Sequence, residues 1–116
     1  MTDINQAKIK QLLSFMTKVQ LENLFQGFFD PIPSGKEQLT LALKNQDKNL
    51  VQKQAHFIKG SSSFLGMQDI HDYCDHLEKE LNESQFPDYV KLLAEFESIW
   101  TRSKSQVEVI LKNMPG

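Results

Sequence analysis

The stretch Ala55-His56-Phe57-Ile58-Lys59-Gly60-Ser61-Ser62 decides the reading of this chain, because it puts a glycine inside a helical pattern, one turn past a histidine. An interior glycine costs about 1 kcal/mol relative to alanine, so some requirement other than stability accounts for it. With about 100° per residue and His56 at zero, Gly60 falls at about 40°, Ser63 at about 340°, Gln52 at about 320° and Lys59 at about 300°. These five share one polar face. The opposite arc, roughly 80° to 260°, carries Leu50, Val51, Ala55, Phe57, Ile58, Phe64 and Leu65, broad enough to pack on two or three neighbouring helices. His56 is therefore expected to point outward beside a cation, within reach of another macromolecule. Gly60 clears the approach, and Lys59 is available to a phosphate.

Working outward, the signature helix runs from about Asp47 to Phe64 and ends at Gly66, a C-terminal cap. Met67, Ile70, Cys74, Leu77 and Leu81 then keep a three-four spacing, and the two helices form a hairpin. Upstream, one amphipathic segment spans about Ile4 to Met16 on Ile9, Leu12, Leu13 and Met16. A second spans about Val19 to Phe29 on Leu21, Leu24, Phe25 and Phe28. After the loop Asp30-Pro31-Ile32-Pro33-Ser34-Gly35, Ser34 with Glu37 reads as a capping box, opening a helix whose Leu39, Ala42 and Leu43 face inward. A last long helix starts near Pro87 and runs to about Asn113 on Tyr89, Leu92, Leu93, Phe96, Ile99, Trp100, Val107 and Ile110. The expected fold is all-α: an up-and-down four-helix bundle with one or two short additional N-terminal helices.

Composition limits the function classes. At 116 residues and 40% hydrophobic, the chain is expected to be one domain over residues 1–116. A net charge of −2 argues against a nucleic-acid or acidic-membrane surface and directs attention to protein partners. The lone Cys74 makes no internal disulfide, and no apolar run reaches the ~20 residues of a membrane span, so a soluble, cytoplasmic protein is expected. The many charges on the bundle's surface make a monomer the simpler expectation. Met1 and the absence of a linker lead to the expectation of a complete small protein.

The string His56-x-x-Lys59-Gly60-Ser61-Ser62, followed by apolar residues and Gly66, resembles the signature of histidine-containing phosphotransfer (HPt) domains, the relay modules of multistep two-component signalling. The likeness continues through Met67, Gln68, Ile70, Cys74 and Leu77. The resemblance implies a carrier whose His56 Nε2 takes a phosphoryl group from a receiver-domain aspartate and passes it to another receiver. The partners are then receiver domains of hybrid sensor kinases and response regulators. It also implies that Mg²⁺ sits in the receiver and that this chain needs no cofactor of its own; Lys59 contacts phosphate or receiver. Gln52, Gly60 and Ser63 are expected on the docking face. Part of the aromatic stripe of Phe15, Leu24, Phe25, Phe28 and Phe29 is a candidate apolar docking patch. Such a carrier is not an enzyme in its own right, although it can be labelled a histidine phosphotransferase.

Imidazole attacks through one nitrogen only if the other holds the proton, so Nδ1–H needs a partner. Glu78 is the candidate. With the hairpin folded at Gly66, His56 lies ten residues before the turn and Glu78 twelve after, which places them within about 3 Å of the same level. Several members of the family carry glutamine here. Two other readings stand beside the carrier. One is a bundle that docks receivers or kinases without carrying phosphate. The other is a metal-binding bundle, for which His71, Cys74 and His76 are the sequence candidates. Helical spacing puts His76 on the far side from His71, so no metal site is assigned and Cys74 is read as a buried apolar residue.

Overall fold

The hairpin's tip organises the computed structural model, which describes residues 4–30, 35–81 and 88–114. The helices are α1 (Gln6–Leu13), α2 (Lys18–Phe29), α3 (Gly35–Lys44), α4 (Lys48–Leu65), α5 (Gln68–Leu81) and α6 (Tyr89–Lys112). The Asp47 carboxylate caps α4 by accepting from Leu50 N–H. At the other end Gly66 takes φ 74°, and Met67 N–H and Gly66 N–H donate back to the carbonyls of Ser62 and Ser63. This is the Schellman arrangement, which a glycine adopts without strain. A Cβ on Gly66 would also stand 2.9 Å from the Asn5 carbonyl, whose own N–H donates to Gly66 O at 2.8 Å. The turn is thereby clamped under the N-terminal segment.

Helices α3, α4, α5 and α6 close a ring, each packed on the next and α6 back on α3, with α1 and α2 laid over one part of it. This is the expected all-helical bundle with two short N-terminal helices. Its centre is filled by Leu39 and Leu43 from α3, Ile58 from α4, Ile70 and Leu77 from α5, and Phe96 from α6. An aromatic cluster continues it: Phe28 stacks on Trp100 at 5.1 Å, and Tyr73 on Phe96 at 5.5 Å. Two buried polar groups are paired across helices. Tyr73 Oη donates to Leu92 O at 2.7 Å, and Arg102 grips the nearly buried Asp69 at 2.9 Å. Among the described residues, no helix is long and apolar enough to cross a membrane.

Expectations change at the start of the last helix and on the apolar faces of α4 and α2. The last helix begins at Tyr89 with Asp88 as its cap, because the Asp88 carboxylate satisfies the N–H groups of Val90 and Lys91. Pro87 and Ser34, with the capping box read there, lie outside the described residues. The apolar arc of α4 is buried only over Val51, Ala55, Ile58, Ser62 and Leu65, while Leu50, Phe57 and Phe64 are exposed. Helices α3 and α5 pack on α4, and the second group is left partly open, with Lys8 of α1 over the Phe64 ring. Leu24 of α2 is likewise exposed, and Ser62 joins the core by donating its hydroxyl to Lys59 O at 3.0 Å.

Candidate functional site

Helix α4 carries His56 on its open face, with the side chain 77% exposed. The packed hairpin brings α5 alongside, and Glu78 Oε1 stands 3.1 Å from His56 Nδ1. An ionised carboxylate only accepts, so in the neutral ring Nδ1–H donates to it and Nε2 keeps its lone pair. The same carboxylate has a second partner: Lys59 Nζ donates to Glu78 Oε2 at 2.9 Å and to Asp75 Oδ1 at 3.4 Å. Asp75 in turn accepts from Lys79 Nζ at 2.8 Å, one turn along α5. The Glu78 hydrogen bond is the chief cause that raises the Lys59 ammonium above its usual value. The Lys79 hydrogen bond, with Lys59 adding, holds the Asp75 carboxyl below its own.

The five residues of the sequence's polar face divide. Gln52 joins His56, Glu78 and Lys53 around an open depression. Lys59 is drawn to the α5 carboxylates. Gly60 lies on the other flank, and a Cβ there would meet nothing within 4 Å among the described residues. An alanine would fit, so packing does not require the glycine. Ser63 is exposed and lines neither surface. On the Gly60 flank a groove opens between α2 and α4, walled by Leu24, Phe28, Phe57 and Phe64 over Ile58 and Trp100. Of the aromatic stripe, Phe25 and Phe29 are core, Phe28 and Leu24 reach this groove, and Phe15 is exposed elsewhere.

Sequence reading missed Asp75, Lys53 and the exposure of Phe57 and Phe64. The first two had a signal, since Asp75 precedes Glu78 by three residues and Lys53 precedes His56 by three, spacings that share a helix face. The three residues weighed for a metal have separate surroundings. His71 Nδ1 lies 3.0 Å from Asp72, His76 Nε2 lies 2.8 Å from Glu80, and Cys74 is fully buried. Burial pushes the Cys74 thiol up to about 12, with the Glu78 charge adding.

A family model described as Hpt domain matches residues 23–106, from within α2 into α6. No curated protein matches the chain.

Proposed function

Since the chain belongs to the Hpt domain family, whose members act in histidine phosphotransfer as phosphocarriers that meet receiver domains, we propose that His56 is the phosphoacceptor and carries the group between receiver aspartates. The observation that carries this reading is the environment of one ring: a largely exposed imidazole whose Nδ1 is taken by Glu78, leaving Nε2 as the nucleophile.

The Nε2 lone pair attacks the phosphorus of an aspartyl phosphate, and the P–O bond breaks with its electrons returning to the aspartate carboxylate. The ring, now bearing both the N–P bond and Nδ1–H, is cationic, and the Glu78 carboxylate faces that charge. Lys59 balances Glu78 and lets a carboxylate serve this purpose beside an incoming anion. Return transfer reverses these steps on a second receiver. Positioning and charge neutralisation dominate phosphoryl transfer, and Mg²⁺ in the receiver supplies most of the latter, so this chain needs no resident cofactor. The apolar groove beside Gly60 supplies the receiver contact, with the bare glycine backbone admitting the receiver's reacting loop.

The test incubates the protein with acetyl phosphate, Mg²⁺ and a receiver domain, and follows it by intact mass beside His56→Gln. The expected result is one acid-labile phosphate that needs the receiver and is absent from the variant. Receiver binding without any phosphate on the wild type would replace the carrier with a docking module.

A further inference from the structure

His56 has a lysine one helical turn away on each side, and the two differ in what they touch. Lys59, three residues on, has its ammonium committed to Glu78 and Asp75. Lys53, three residues back, is exposed, lines the depression with Gln52, His56 and Glu78, and has no hydrogen bond or ion pair among the described residues. Helical side chains lean toward the helix N-terminus, so the imidazole lies over the turn bearing Gln52 and Lys53. With Nδ1 held by α5, a group arriving at Nε2 arrives over this depression. A phosphoryl group brings about −2 of charge close to two carboxylates that are already present. Recruiting Lys59 would strip Glu78 of its lysine and leave Asp75 with Lys79 alone. Recruiting Lys53 breaks no pairing among the described residues.

We propose that Lys53 is a phosphoryl-contact residue, its ammonium pairing with the oxygens of the group carried on His56 Nε2. The proposal rests on the reading of His56 as phosphoacceptor. In the step, the Nε2 lone pair forms the N–P bond while the donor's bond to phosphorus breaks and its electrons leave with the donor atom. Lys53 donates hydrogen bonds to the phosphoryl oxygens and gives up no proton. Lysine suits the task as a compact charge on a flexible stem that swings onto the group as it arrives.

Phosphoramidate phosphorylates histidine without a receiver, so it separates this contact from docking. Wild type, Lys53→Met, Lys53→Arg and His56→Gln are each incubated with phosphoramidate, and the rate of phosphate gain is read by intact mass. Lys53→Met is expected to be about threefold slower, the scale of an exposed charge pair, with the gap closing in high salt. Lys53→Arg keeps the charge and stays close to the wild-type rate. Lys53→Met at the wild-type rate, or Lys53→Arg as slow as Lys53→Met, overturns the assignment and leaves the phosphoacceptor reading standing. No phosphate on wild-type His56 overturns both.

Discussion

The two flanks of α4 meet at His56 and are built in opposite ways. Toward α5 a run of paired groups crosses the hairpin: Nδ1 with Glu78, Glu78 with Lys59, Lys59 with Asp75, and Asp75 with Lys79. Toward α2 the walls of the groove are apolar, and Phe57 is 67% and Phe64 49% exposed. A satisfied charged network fixes the ring from within. An apolar surface left open gains stability only when something outside covers it, so the second flank is where a partner adds binding energy. With His56 as phosphoacceptor and the groove as the receiver contact, as proposed, chemistry and recognition lie on separate sides of one helix and are separable by mutation.

The largest expected effect breaks the apolar flank alone. Phe57→Ser combined with Phe64→Ser should weaken receiver binding by about 30-fold, as loss of two aromatic anchors does, and leave the rate with phosphoramidate unchanged. Titration calorimetry and intact mass read the two quantities. A matched fall in both would merge the flanks into one unit. Glu78→Gln breaks the charged flank: the amide still accepts from Nδ1–H but no longer offsets the cationic ring, and the phosphoramidate rate should fall about fivefold with receiver affinity unchanged. Gly60→Ala sharpens the boundary between flanks. Nothing crowds a Cβ there, so the helix should gain about 1 kcal/mol in thermal unfolding, while receiver binding weakens about twofold because the approach is no longer bare.

The smallest effect lies in the acid limb of stability. Asp75 is held below its ordinary 3.8 by Lys79 and then Lys59, so its contribution is present above that value and is lost as pH falls through the lowered folded one. Asp75→Asn should flatten the fall in melting temperature below pH 4. An unchanged slope there would mean that the carboxylate is solvated and not held.

Local signals made most of this legible. Asp47 and Gly66 end α4 where a capping carboxylate and a left-handed glycine must, and the stripe from Met67 to Leu81 is fully buried as its spacing requires. Glu78 was reachable by counting, because a tight hairpin turns sequence distance from Gly66 into height along the partner helix. Angle on a helix, however, says nothing of which sectors have neighbours, and so Leu50, Phe57 and Phe64 were placed with the core although they are exposed. Lys59 was read as available to a phosphate or to the receiver. The pairing of its ammonium with two carboxylates on α5 was not foreseen, a choice of rotamer that only the assembled hairpin determines.

Cys74 sits at the middle of α5, fully buried, with its thiol raised to about 12. At neutral pH a disulfide-exchange reagent therefore finds neither access nor thiolate in the folded bundle. Labelling has to await an opening that releases α5 from α4, and in the limit of fast reclosing its rate reports how often that opening occurs. The protein thus contains a clock for the hairpin that bears His56, one read at a native side chain that leaves the surface of His56 untouched.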